Sequence, residues 1–294
     1  MAKVKINKDL VKTPINSRLR SIKARKKSIR LISVIVPAYR QEKTIQKDLR
    51  RIKLVLDKLR YKSELICVVD GIIDKTFEKA KKITKKYRGI KVVGYDVNRG
   101  KGYAVRFGMA KSKGDIIAFI DSGMDLDPNG LSMLLEHFEW YKADVIVGSK
   151  RHPVSKVDYP WQRRILSVGY QYLVRLLFDL KVRDTQVGLK VFRREVLEKV
   201  LPRLLVKAYA FDIEILSVAN YLGFKRIYEA PVELRLDFGG TSVLTSQKFL
   251  RTLMYMMLDT LAVFYRLRIR KYYDDKSSRR WKYDPDLNFR INLG

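Results

Sequence analysis

From Leu31 onward the chain alternates two kinds of apolar pattern. Short continuous runs rich in Val and Ile are LISVIV (Leu31–Val36), ELICVV (Glu64–Val69), IKVVGY (Ile90–Tyr95), DIIAFI (Asp115–Ile120) and DVIVGS (Asp144–Ser149). They lack the apolar–polar alternation of a half-exposed strand, so they read as strands covered on both faces. Between them, Lys43–Arg60, Lys75–Tyr87, Lys101–Lys111 and Asn129–Tyr141 carry apolar residues at helical spacing and read as helices. Strict alternation predicts an α/β fold with a mainly parallel central sheet flanked by helices, whose ligands gather outside the carboxyl ends of the strands. Those ends are polar: PAYRQE (Pro37–Glu42), DGIIDKT (Asp70–Thr76), NRGKG (Asn98–Gly102), DSGMD (Asp121–Asp125) and GSKR (Gly148–Arg151). One carboxylate after a strand is commonly a turn or cap residue. Five such ends in succession point to a site.

The second half changes character. Tyr159–Leu180 and Ser246–Leu267 are long helix candidates in which aliphatic and aromatic residues are interspersed with arginine and lysine. They read either as core helices or as helices lying in a membrane interface, with apolar side chains inserted and basic ones meeting lipid phosphate. The stretch LMYMMLDTLAVFY within the second is apolar nearly all round. That favours an interface, or contact with a second copy of the chain, over free solvent. No stretch approaches the roughly 18 uninterrupted apolar residues of a membrane span, and the N-terminus lacks the apolar core of a signal peptide. The expected organisation is a basic, mobile arm over 1–30, a main domain over 31–244 that includes the helix near 159–180, and an amphipathic helix with a basic tail over 245–294.

Charge sharpens the partner class. Against 31 acidic residues stand 62 Lys and Arg, a formal net charge of +31, which attracts polyanions or anionic lipid headgroups. The chain shows no recognition motif and no platform of interleaved aromatic and basic residues, so nucleic acid is not expected as a partner. The single cysteine, Cys67, cannot form an internal disulfide, which suits a reducing cytosolic setting. His137 and His152 stand in unrelated contexts and suggest neither zinc binding nor a histidine base. In NRGKG, two glycines permit close backbone approach, and Lys101 stands at a helix start, where amide groups and the dipole favour an anion.

The motifs SVIVPAYRQEKTI, VVDGIIDKT, NRGKGYAVRFGMAKSKGDIIAFIDS, DVIVGSKR, RDTQVGLKVFRREVL and YAFDIEIL run over roughly Leu31 to Leu244. Together they resemble the inverting, family-two glycosyltransferases of the GT-A fold, which use nucleotide-diphosphate sugars. RDTQVGLKVF followed by FDIEIL looks most like dolichyl-phosphate glucosyltransferases, with dolichyl-phosphate mannose synthases close behind.

This resemblance implies transfer of a hexose, glucose or mannose, from a UDP or GDP sugar to polyprenyl or dolichyl phosphate. The enzyme would lie peripherally on the cytoplasmic face of a membrane with an anionic surface. Pro37, Ala38 and Tyr39 would line the base and ribose pocket, Asp70 would hold the base or ribose, and Lys101, Asp121 and Ser122 would complete the nucleotide-sugar site. The family's metal motif maps onto Asp121, Gly123 and Asp125. One ligand is thereby lost, and Asp121 with Asp125 is left to hold Mg²⁺ or Mn²⁺, an ion that needs only one or two carboxylates beside phosphate oxygens. Ser149, Lys150, Arg151, Arg163 and Arg164 would receive the acceptor phosphate, with Lys150 in place of the family's usual arginine. Asp184, Gln186 and Lys190 would border the sugar and phosphate pocket. Asp212 would orient sugar hydroxyls; alternatively, Asp212 or Glu214 would act as base toward a sugar or protein-linked hydroxyl acceptor. A homo-oligomer through the C-terminal helix is a further possibility.

Overall fold

A computed structural model describes residues 30–123, 126–155, 161–207, 210–233, 247–274 and 280–293. The five expected strands form as β1 (Leu31–Ala38), β2 (Lys62–Asp70), β3 (Ile90–Tyr95), β4 (Ile116–Ile120) and β5 (Val145–Ser149). Two shorter ones, β6 (Leu189–Arg193) and β7 (Ile227–Pro231), join them in a seven-stranded sheet of order β3-β2-β1-β4-β6-β5-β7. β6 runs antiparallel to both β4 and β5, while the remaining pairs are parallel. Neither β6 nor β7 announces itself in the sequence. LKVFR carries a lysine at its second position, and IYEAP carries both a glutamate and a proline.

The continuous apolar runs find their explanation in two cores. Val34, Val36, Leu65, Cys67, Ala118 and Ile120 face one core with the helices α1 (Ile45–Leu56) and α4 (Gly130–Trp140). Ile35, Ile66, Val68, Ile117 and Phe119 face the other with α3 (Lys101–Lys111), which follows α2 (Thr76–Thr84) in the chain. Adjacent residues of one strand point to opposite sides, and with both sides covered most positions are apolar. α1 buries the single stripe Ile45, Leu49, Ile52 and Leu56. α3 is buried on nearly every side from Gly102 to Met109. The thiol of Cys67 is fully buried in β2, which pushes it up to about 12 and leaves it unreactive near neutrality.

Four further helices complete the chain: α5 (Trp161–Phe178), α6 (Arg194–Val200), α7 (Phe211–Tyr221) and α8 (Gln247–Phe264), the last continuing into a π-turn at Tyr265–Ile269. α8 packs on α7 and on α5, where the Tyr170 and Thr260 hydroxyls lie 2.7 Å apart. Its opposite side exposes Met254, Leu258, Leu261, Tyr265 and Ile269, spaced to form one stripe. Among the described residues no helix is long and apolar enough to cross a membrane.

The basic C-terminal stretch contains a hairpin, β8 (Arg280–Asp284) and β9 (Phe289–Leu293), with Asn288 in the left-handed region at φ 59°. Leu287 is buried, and Phe289 and Ile291 pack on the same core as α3. The hairpin also reaches the NRGKG turn, where Arg99 pairs with Asp286 at 3.1 Å.

The packing of α3 on the sheet has a direct test. A methyl group added at Gly108 would lie 2.3 Å from Ile35 Cγ2 and 2.9 Å from Val68 Cγ2, both on strands. Gly108→Ala is expected to cost about 1–3 kcal/mol through overpacking, seen as a lower urea midpoint at unchanged slope. An unchanged midpoint would contradict this close approach.

Candidate active site

The sheet topology determines which loops meet. β6 is antiparallel, so its first residue, Leu189, pairs with the last residue of β4, Ile120. The segment RDTQVG therefore enters the sheet at the edge where the parallel strands end. Asp121 N donates to Gly188 O at 2.9 Å. A Cβ at Gly188 would stand 1.9 Å from Asp121 Oδ2, so only glycine leaves room for that carboxylate.

Around Asp121 four charged side chains form a network. Lys101, from the first turn of α3, donates from Nζ to Asp121 Oδ2 at 2.7 Å and stands 3.8 Å from Asp212 Oδ2. Lys190, fully buried on β6, donates to Asp212 Oδ1 at 2.6 Å and to Val187 O at 2.6 Å. Both ammonium groups lie over the Phe119 ring. Burial pushes Lys190 down, and Asp212 only partly opposes it. For Lys101 burial acts in the same direction, but Asp212 and Asp121 outweigh it and hold the ammonium above its ordinary range. Burial raises Asp121 against the pull of Lys101. The network presents Lys101 and Asp121 to solvent, with side chains 36% and 38% exposed, and hides Lys190 and Asp212 behind them.

Two polar atoms at this edge are buried without hydrogen-bond partners: Asp121 Oδ1 and Gln186 Nε2. An unpartnered carboxylate oxygen is the kind of ligand a hard divalent cation takes, but among the described residues no group of three acidic, His or Cys side chains gathers around it. Asp125, the second expected ligand, lies outside the described residues. Gly123 adopts φ 96°, and its amide donates to the buried Asp48 of α1 at 3.2 Å. The turn is thus fixed by a carboxylate that sequence reasoning passed over. Its position in the first turn of α1 is the signal, a charged residue inside an otherwise apolar stripe.

The remaining expected residues divide. Pro37 and Ala38 end β1, next to Val68 and Val69 of β2, and Tyr39 is exposed at the same edge under the Arg40 guanidinium. Ser122 occupies the turn after β4. Asp70 is 3% exposed and fully engaged by the protein: it accepts from Tyr95 OH at 2.9 Å, Asn98 Nδ2 at 3.1 Å and Arg99 N at 2.7 Å. The carboxylate therefore holds the NRGKG turn. Ser149 is buried, and its Oγ accepts from Arg151 N at 3.3 Å. The Lys150 amide donates to Asp184 at 3.2 Å, which joins the GSKR loop to RDTQVG, and Arg151 donates to Gln171 of α5. Arg163 and Arg164 lie in the first turn of α5, where the backbone alone is described.

The glycines of NRGKG serve a different approach from the one expected. A Cβ at Gly100 would lie 2.5 Å from Lys207 O, and one at Gly102 would lie 2.7 Å from Phe211 Cβ. The Gly102 amide, an expected anion donor, is given to Lys207 O at 2.9 Å. Protein fills the space that the sequence suggested for a ligand. Glu214 is likewise enclosed, fully buried and bonded to the amides of Leu205 and Val206 and to Tyr273 OH.

Residues 33–201 match the model of Glycosyl transferase family 2. A dolichyl-phosphate beta-glucosyltransferase of Trichomonas vaginalis is 30% identical over 254 residues, 81% of this chain and 75% of that protein. Its counterparts from Drosophila melanogaster and Homo sapiens are 33% and 31% identical over 65% of this chain, which spans 63% of each of them. Among solved structures, a Mycobacterium tuberculosis glucosyl-3-phosphoglycerate synthase in complex with Mn²⁺, UDP and phosphoglyceric acid superposes with TM-score 0.60. It is 22% identical, with 94% of this chain and 90% of that one covered; at this identity the likeness is one of fold.

The Asp121 seat can be tested without touching a charged group. Gly188→Ala is expected to displace the carboxylate, lower turnover on the order of a hundredfold and lower the thermal midpoint, because the clash reaches Asp121 Cγ and Cβ as well as Oδ2. Full turnover in that variant would remove Asp121 from the working site.

Proposed function

Because the chain belongs to glycosyl transferase family 2 and has the GT-A fold, we propose that it transfers glucose, with inversion, from a nucleotide-diphosphate sugar to dolichyl or another polyprenyl phosphate at a membrane surface. The observation that carries this reading is the lysine–carboxylate network at the end of β4, with one carboxylate oxygen left unpartnered. In this reaction an oxygen of the lipid phosphate attacks the anomeric carbon. The bond from that carbon to the diphosphate breaks, and its electron pair leaves with the nucleotide.

Charge neutralisation is the main demand, because donor and acceptor are both anionic. Lys101, held charged by two aspartates, would turn its ammonium from Asp121 toward the departing diphosphate. Asp121, together with Asp125, would hold Mg²⁺ or Mn²⁺, which when bound supplies further positive charge to that leaving group. Lys150 and Arg151, whose loop is tied to Asp184 and Gln171, would steer the lipid phosphate together with Arg163 and Arg164. Gln186 brings an unpartnered amide nitrogen to the same edge, suited to a sugar hydroxyl. Pro37, Ala38, Tyr39 and Ser122 would border the nucleotide.

The choice of acceptor follows from where the two candidate bases, Asp212 and Glu214, stand. A phosphate is ionised at neutral pH and needs none, whereas a hydroxyl acceptor does. Both carboxylates considered for that duty are committed. Asp212 is paired with Lys190 at 2.6 Å, and Glu214 is sealed in the core. The names of the curated relatives agree with a dolichyl phosphate acceptor and glucose as the sugar.

Incubation with labelled UDP-glucose, dolichyl phosphate and Mg²⁺ or Mn²⁺ is expected to move label into the organic phase, and labelled GDP-mannose is expected not to. Chelation should stop the reaction, and Asp121→Asn should slow it on the order of a hundredfold or more. Label that remains in a water-soluble glycoside would favour the hydroxyl acceptor instead.

Membrane contact would fall on the exposed stripe of α8, which carries exposed Arg251, Arg268 and Arg270 along with its apolar residues; Tyr172 and Leu176 of α5 are likewise exposed. Apolar insertion beside arginines suits anionic lipid. The protein should float with anionic liposomes, and Leu258→Glu with Leu261→Glu should release it. A soluble dimer that the same double substitution dissociates, with no flotation of the parent chain, would assign the stripe to self-association.

A further inference from the structure

Lys101 occupies the first turn of a helix whose start is pinned from behind. The segment 204–207 runs beneath it: Lys207 O accepts from the Gly102 amide at 2.9 Å, and it stands so near Gly100 that a Cβ there would be 2.5 Å away. Arg106, one turn along α3, donates to Leu204 O at 2.8 Å. This segment has no regular secondary structure, so its shape must come from elsewhere. Both amides at its centre, Leu205 N and Val206 N, donate to the carboxylate of Glu214, at 3.0 Å and 2.9 Å to Oε2. Tyr273 OH donates to Oε1 at 2.7 Å, and Arg266 stands 3.8 Å away. Glu214 is completely buried and lies two residues past Asp212 on α7.

We propose that Glu214 is a positioning residue that aims Lys101 at Asp121 and Asp212, acting through the amides of 205–206 and the carbonyl of Lys207. The inference rests on the reading of Lys101 as the cation that meets the leaving diphosphate. A carboxylate offers the several acceptor sites that two amides and a phenol require. The amide isostere trades one of those acceptor oxygens for donors, so it leaves a buried N–H or O–H unsatisfied. The relaxation this causes reaches Gly100 and Gly102 directly, because neither has a side chain between it and the segment. Glu214 thus acts on the reaction without touching substrate, and the glycines of NRGKG transmit its hold.

A double-mutant cycle separates positioning from general support of the fold. Rates are read in single turnover with enzyme in excess, so that a severely slowed variant remains measurable. Glu214→Gln alone is expected to lower the rate about tenfold with the donor KM within about twofold. In a Lys101→Met background the same change should cost less than about twofold, because the group it aims is gone. Equal losses in the two backgrounds, or no loss in either, would overturn the proposal and leave Lys101 its role. Full activity of Lys101→Met alone would overturn the reading on which the proposal rests. Should Glu214→Gln fail to fold, Tyr273→Phe, which removes one donor and leaves the carboxylate in place, is read by the same two criteria.

Discussion

Two lysines and two aspartates neutralise one another at the carboxyl edge of β4, and much of the surrounding chain keeps them in reach. Charges taken out of water are tolerated only when paired and bonded. Here the inner pair, Lys190 and Asp212, is hidden, while the outer pair, Lys101 and Asp121, faces solvent. A buried ion pair of this kind does little for stability in net terms; its use is to fix where the outer charges stand. An anionic ligand arriving at this edge meets a lysine already charged and already desolvated on one side. One oxygen of the Asp121 carboxylate is left without a hydrogen-bond partner.

The sheet supplies the means. Reversal of β6 brings Gln186, Gly188 and Lys190 to the edge where β1, β2 and β4 end, and pairs the entry of one strand with the exit of another. Gly188 lets Asp121 lie against the incoming chain, and Gly100 and Gly102 let α3 lie against Lys207 and Phe211. Each glycine marks a place where two parts of the protein touch, so the lysine of α3, the aspartate after β4 and the aspartate of α7 converge within a few ångströms. Asp70 and Asp48 serve the same end by holding the turns at 98–99 and 123.

Much of this was legible in the sequence. Five strands and four helices follow from apolar runs and spacing, except that β3, read as covered on both faces, is an edge strand with Lys91 exposed and its later residues half-buried; the strand ends mark the edge where the charged network forms. The short strands escaped because their residues answer to the site as well as to the sheet. Lys190 is a strand residue buried for its charge, and Pro231 ends an edge strand. The glycines were read as room for a ligand, since local sequence does not reveal what packs above a turn. Asp70 and Glu214 were read as ligand contacts or bases for the same reason: an acidic residue beside a strand end or helix start looks alike whether it meets a substrate or the amides of another loop. Only the tertiary partners, Tyr95, Asn98 and Arg99 for one and Leu205, Val206 and Tyr273 for the other, distinguish the two.

If the network at β4 holds the nucleotide's diphosphate, it does so through Lys101 and Asp121. A crystal structure with a nucleotide diphosphate and Mn²⁺ tests this most directly. Anomalous density for the ion is expected against the Asp121 carboxylate, with Lys101 Nζ moved from Asp121 onto a phosphate oxygen. A diphosphate bound elsewhere, with the Lys101–Asp121 pair intact and no ion beside it, would contradict this placement.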